Sequence, residues 1–173
     1  MSNPLNENFN TPFETIPFSK IKTEHFLPAL DDAIKLSKSN IKSIIECNDD
    51  PDFKNTIEKF ETASEQLGMV SGVYWHLFGA HSDGEHKKLA DQISVKMSEY
   101  QNDYVLNKSL FVKIESVYNN RSEMNLDVHE MKLTEDVYVF FKRNGASLSD
   151  DEKIKLREID KQLSSLSPKF SNN

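Results

Sequence analysis

Cysteine, glycine and long apolar runs are all scarce in this 173-residue chain, and each scarcity excludes a class of protein. Cys47 stands alone, so neither an intramolecular disulfide nor a thiolate-built zinc site can form, and an inert packed thiol is expected there. Five glycines and six prolines are too few for the many tight turns of an all-β fold. The glycines are also too scattered for a Gly-x-Gly-x-x-Gly or Walker loop, which removes phosphate cradles. No Gly-x-Ser-x-Gly elbow occurs, so serine nucleophiles lack their usual strained turn. Basic residues are outnumbered 21 to 28, giving a net charge of −7 without a basic block. Nucleic acid is therefore excluded as a partner, because that affinity depends on neutralising phosphates. No apolar run approaches the roughly eighteen residues of a membrane span, and no basic-then-apolar leader opens the chain. No membrane partner and a cytoplasmic location are the expectations.

What is present is helical periodicity. Residues 1–22, with Pro4, Pro12 and Pro17 among Phe9, Phe13 and Phe18, read as an extended arm whose apolar side chains lie partly against a helical surface. Residues 23–173 read as one helical domain. Leu30, Ile34, Ile41, Ile44 and Ile45 mark a first helix ending near Cys47. A second starts between Asp52 and Asn55 and carries Ile57, Phe60, Leu67, Val70, Tyr74, Leu77 and Phe78. After the break at His81-Ser82-Asp83-Gly84 a third follows with Leu89, Ile93, Met97, Tyr100 and Tyr104, so the two should fold back as a long antiparallel hairpin. Asn107 caps a fourth helix, Asp127 opens a fifth, and Gly145 supplies its left-handed end. Ser149-Asp150-Asp151-Glu152 is a capping box for a last helix whose Leu156, Ile159, Leu163, Leu166 and Phe170 recur at three-four spacing. Pro168 should kink or fray it near Ser165, and a heptad-like pattern running into Asn172 and Asn173 reads as cut rather than finished. The fold class expected is all-α, about six helices behind an extended arm.

The candidate chemistry is weighed by spacing. His129-Glu130-Met131-Lys132-Leu133 starts like a His-Glu-x-x-His zinc helix but places Leu133 where the second ligand belongs, so a surface histidine in a first helical turn is the better reading. His81 to His86 resembles an inverted zinc motif with one residue too many and Gly84 in its middle. His76 could complete a loose histidine cluster with them, which is weighed as a remote third possibility, an independent metalloenzyme. His25 has no acid–base partner in sequence. The pairs Asp31-Asp32, Asp49-Asp50 and Asp150-Asp151 fall at helix starts and breaks, where dipole interactions account for them. Tyr74, Trp75, Phe78, Tyr100 and Tyr104 are spaced for the facing sides of the hairpin and read as core, with a peptide groove as the alternative. No catalytic, cofactor-binding or metal residue is assigned.

Pro17-Phe18-Ser19-Lys20-Ile21-Lys22-Thr23-Glu24-His25-Phe26-Leu27-Pro28-Ala29-Leu30, Phe53-Lys54-Asn55-Thr56-Ile57-Glu58 and Leu163-Ser164-Ser165-Leu166-Ser167 resemble, in this order, the N-terminal region of the thimet oligopeptidase and peptidyl-dipeptidase family of zinc peptidases. Pro51 to Ile57, Ala80-His81, Asp103 to Asn107 and Asn144-Gly145-Ala146 look closer to its dipeptidyl carboxypeptidases. The resemblance implies a helical wall of a channel that admits short peptides, with His25 pinning the arm to the helix that follows. It implies that zinc and its His-Glu-x-x-His helix belong to a catalytic domain outside residues 1–173, which is this segment's partner, and that the segment alone is inactive. A stand-alone helical interaction module on the same scaffold is the alternative.

Overall fold

Local polar chemistry sets where the helices begin. Asn107 accepts the Leu110 N–H at 3.0 Å. Asp127 accepts those of His129 and Glu130 at 2.7 and 2.9 Å, while the Glu130 carboxylate accepts the Asp127 N–H at 2.9 Å. Such reciprocal bonds satisfy donors that have no partner inside the helix. In the computed structural model, which describes residues 3–80 and 84–171 and side chains as far as Leu166 apart from Glu85, they yield an all-helical protein. Its helices are α1 (Phe26–Ile45), α2 (Lys59–Thr62), α3 (Glu65–Ala80), α4 (Gly84–Val105), α5 (Lys108–Asn120), α6 (Val128–Arg143) and α7 (Asp150–Ser171). Six are long and α2 is a single turn; no strand occurs among the described residues.

The segment before α1 carries three short 3-10 turns, at Pro12–Glu14, Phe18–Lys20 and Thr23–His25. Its anchor is Leu5, fully buried, whose carbonyl accepts from Gln66 Nε2 at 2.8 Å. Of the arm's other apolar residues, Phe9 is half-buried and Ile16 packs against the core, whereas Phe13 is 98% exposed and Phe18 45%. Leu5 prevails because Asn3 clamps both neighbours, accepting the Leu5 N–H at 3.0 Å and donating to the His25 carbonyl at 2.8 Å.

α1 buries Phe26, Ala29, Leu30, Ala33, Ser37, Ile41 and Ile44, and its three small residues let α3 approach closely. The second predicted helix is interrupted. It opens as a π-type turn over Phe53–Glu58 capped by Asp52, passes through α2, and breaks at Ala63 before α3. The break is held from outside: Asn40 Nδ2 donates to the Ala63 carbonyl at 3.1 Å, and the Ser64 hydroxyl meets the Tyr100 hydroxyl at 2.6 Å. Sequence periodicity is blind to such remote partners, so the continuous helix expected here was not the outcome.

α3 and α4 run antiparallel, joined by Tyr74 donating to the His86 carbonyl at 2.7 Å, while Ser64 just before α3 meets Tyr100, and Phe60 of α2 packs against Tyr104 at 5.7 Å between ring centroids. α4 packs far more closely on α7 than on α3. That pair is antiparallel too, as Lys153 reaches the Leu106 carbonyl at 3.2 Å, Arg157 binds Asp103 at 3.0 Å and the Asn102 carbonyl at 3.1 Å, and Lys161 pairs with Glu99 at 3.4 Å. α7 continues through Pro168 to Ser171, beyond Ser165, where a kink or fraying is expected. A proline removes only its own N–H bond, and here that loss falls in the last turns of a 22-residue helix.

Candidate functional site

A broad concavity follows from the spread of α3 away from α4. Ser64 with Leu67, Gly68 and Trp75 of α3 forms one wall, Met97, Tyr100, Gln101 and Tyr104 of α4 the floor, and Leu156, Asp160, Leu163 and Ser164 of α7 the other wall, around a space of about 930 Å³. Lys142, Arg143 and Leu148 close one end. Gly68 and Gly72 leave the α3 wall without side chains, and a Cβ placed on either would meet nothing within 4 Å. Leu163 and Leu166, with Ile159 one turn earlier, are 58%, 57% and 53% exposed. At roughly 100° per residue these three lie on one face of α7, more than a third of a turn from the side that Lys153 and Arg157 turn toward α4. Trp75 is 36% exposed and Leu148 37%. Leu163 thus lines the groove, and Ile159 and Leu166 continue its seam outside it, where no part of the described chain covers them.

Its floor offers little acid–base chemistry. Burial pushes the Tyr104 phenol up to about 12, with Tyr100 adding to it, and burial with the Asp91 charge does the same for Tyr74. Both stay protonated at neutral pH. Tyr74 and Tyr100 are core residues, Tyr104 and Phe78 are half-buried, and Trp75 belongs to the groove wall, so the aromatic set divides between core and groove.

The other candidates are dispersed. His129 sits in the capped first turn of α6 beside Glu130, whose carboxylate is engaged by the Asp127 N–H, and Leu133 packs against the core. Hydrogen bonds from the Glu130 and His129 N–H groups hold the Asp127 carboxyl below its ordinary range. His81 and Asp83 lie outside the described residues. The His86 ring rests against Phe26 and Tyr74 at 6.2 and 6.5 Å, and His76 faces Phe18 at 6.2 Å. His25 Nδ1 accepts the Lys22 N–H at 3.0 Å and its carbonyl holds Asn3, which ties the arm to α1. Asp31 pairs with Lys96 at 2.6 Å and Asp32 accepts from Asn6 at 2.8 Å. Cys47 is half-buried near Asp49 at 3.8 Å, and Asp50 lends its carbonyl to Asn55 at 2.9 Å. Asp150 and Asp151 are exposed at the α7 N-terminus. Among the described residues no three His, Cys, Asp or Glu side chains come together as a metal-binding group, and no helix is long and apolar enough to cross a membrane.

Sequence reasoning missed two features. The Lys38–Asp103–Arg157 node, at 2.7 and 3.0 Å, joins three helices that are distant in the chain. The bare face of α7 was legible as a pattern, but that nothing covers it was not.

No protein-family model matches the chain. It is 30% identical over 169 residues to the dipeptidyl carboxypeptidase of Escherichia coli and 27% identical over 170 residues to that of Salmonella typhimurium. Each alignment covers 98% of this chain and 25% of the relative. Oligopeptidase A of Escherichia coli is 25% identical over 173 residues, which is 100% of this chain and 25% of that protein. The chain spans about a quarter of the length of the curated relatives it matches.

Proposed function

From the premise that this chain is homologous to the N-terminal quarter of peptidases of the thimet oligopeptidase family, we propose that it is the helical N-terminal domain, residues 23–173 behind the arm 1–22, of a zinc-dependent peptidyl-dipeptidase or oligopeptidase. In this reading it forms one wall of a channel that admits short peptides, works in the cytoplasm, and has no catalytic residue of its own. The observation that carries the proposal is the pairing of near-complete coverage of this chain with one quarter of each relative. The helical fold supports it, because packed helices offer a rigid wall without a reactive group in it.

Zinc does not fit the described residues: the histidines are spread over the arm, α3, α4 and α6, and no acidic or histidine cluster completes them. The metal would belong to the portion of the enzyme outside this chain, where it supplies a polarised water. What these residues do is steric. Helix-to-helix ion pairs and a buried aromatic core hold the wall in place, and its shape restricts what reaches the catalytic portion.

Sequencing the gene beyond codon 173 tests the reading. A His-Glu-x-x-His segment within the following several hundred codons is expected, and its absence would leave a stand-alone interaction module as the account of this scaffold. Chelator-sensitive peptide cleavage by the purified 173-residue chain would overturn the assignment of the chemistry elsewhere.

A further inference from the structure

We propose that the aliphatic seam of α7 and the glycine trough of α3 together seat one amphipathic helix from the three quarters of the peptidase that lie outside this chain; the inference rests on the family reading above. Ile159, Leu163 and Leu166 repeat at the three-four spacing of a helix-packing seam, yet each is more than half exposed. An exposed apolar stripe of this regularity marks an interaction surface. Across the groove, Gly68 and Gly72 stand one turn apart with open space over both, which lets another backbone approach α3 closely. Trp75 and Leu148 extend the same apolar rim. Among the described residues, the remaining exposed large apolar side chains are distributed over the arm, α1, α5, α6 and the opposite side of α7.

The occupant follows from length and charge. Relatives carry about three quarters of their length beyond the matched quarter, and that mass must meet this quarter along some face. A helix fits where a peptide in extended form does not, because the seam presents its side chains at helical intervals and offers no sheet edge. Lys142 and Arg143 at the closed end call for carboxylates on the end of the incoming helix that lies over them.

The experiment grafts this chain in place of the matching first quarter of the Escherichia coli dipeptidyl carboxypeptidase and compares the graft with its Leu163→Glu/Leu166→Glu form. The unsubstituted graft is expected to be monomeric and active on short peptides, and the double substitution to lower the yield of active enzyme at least tenfold. Val112→Glu, an equally exposed change on α5, should leave the graft unaffected, and the isolated 173-residue chain should keep its helix content and melting temperature with the double substitution. Gly72→Leu should impair the graft while sparing the isolated chain. A double-substituted graft as active as its parent overturns the seat and leaves the family reading intact. A graft that dimerises through α7 overturns it in favour of a second copy. An inactive, insoluble unsubstituted graft counts against both the seat and the family reading.

Discussion

α6 and α7 begin alike and end differently. Both open on a capping box, Asp127 with Glu130 in one and Ser149 with Glu152 in the other, and both carry an apolar face at helical spacing. The face of α6 is covered. Phe141 is fully buried against Phe60, Tyr104 and Phe111, at 5.1, 6.1 and 6.3 Å, and Tyr138 stacks between Phe111 and Tyr118 at 5.9 and 3.9 Å. Arg121 closes this column over the Tyr118 ring at 3.9 Å. α7 instead holds to α4 through Lys153, Arg157 and Lys161, and leaves Ile159, Leu163 and Leu166 in water. A helix can therefore be placed by charged and polar contacts while its apolar face waits for another partner, and similar amphipathic patterns need not mean similar burial.

The sharpest way to break this contrast is Phe141→Ala. Removing a fully buried ring that touches four other aromatic residues should destabilise the chain by about 3–5 kcal/mol, read from chemical denaturation. A loss below about 1 kcal/mol would mean that α6 is no better covered than α7.

Next in size is Gly145→Ala, at the junction of the two helices. Gly145 has φ +95°, and an added Cβ would lie 2.6 Å from Leu156 Cδ2. Backbone strain and the forced shift of Leu156 should together cost about 1–3 kcal/mol. The same junction carries the bonds from the Ala146 N–H to the Phe141 carbonyl and from the Gly145 N–H to that of Lys142, at 3.1 and 3.5 Å, that end α6. Unchanged stability would show that α7 is free to swing about this point.

Asp103→Asn tests the electrostatic attachment of α7. Burial alone would raise the Asp103 carboxyl, but hydrogen bonds and charges from Lys38 and Arg157 outweigh it and hold the group below its ordinary value. A depressed folded-state value means the native protein binds fewer protons than the unfolded chain. The stability is therefore present above about pH 4 and is lost as the pH falls through the folded-state value. With all three side chains roughly half exposed, the effect at pH 7 should be at or below about 1 kcal/mol. Thermal melts of the two proteins should converge as the pH falls below the ordinary carboxylate range, and a difference that grows on acidification would contradict the assignment.

Features encoded within a few residues were legible in the sequence: the caps at Asn107, Asp127 and Ser149, and the left-handed end at Gly145. Features decided across the chain were not. The break before α3 depends on Asn40 and Tyr100, and Leu5 replaces the phenylalanines as anchor because Asn3 and Gln66 hold it. The groove lay between the two cases. Its α7 seam was visible as a spacing, whereas Gly68 and Gly72 become a trough only because α3 stands apart from α4.

The smallest expected effect bears most directly on the comparison. Leu163→Glu exchanges a 58% exposed leucine for a residue of nearly equal helix propensity, so the isolated chain should change in stability by no more than about 0.5 kcal/mol. For a leucine in a helical heptad that is an unusually small loss, since a fully buried one contributes roughly 1.5–3 kcal/mol by transfer alone. Denaturation midpoints of the two forms, measured at micromolar concentration and again tenfold higher, distinguish a bare seam from a covered one. Equal midpoints at both concentrations leave α7 uncovered. A loss of 2 kcal/mol or more, on the order expected for a buried leucine, would mean that Leu163 already has a partner within the chain, and the contrast between α6 and α7 would disappear.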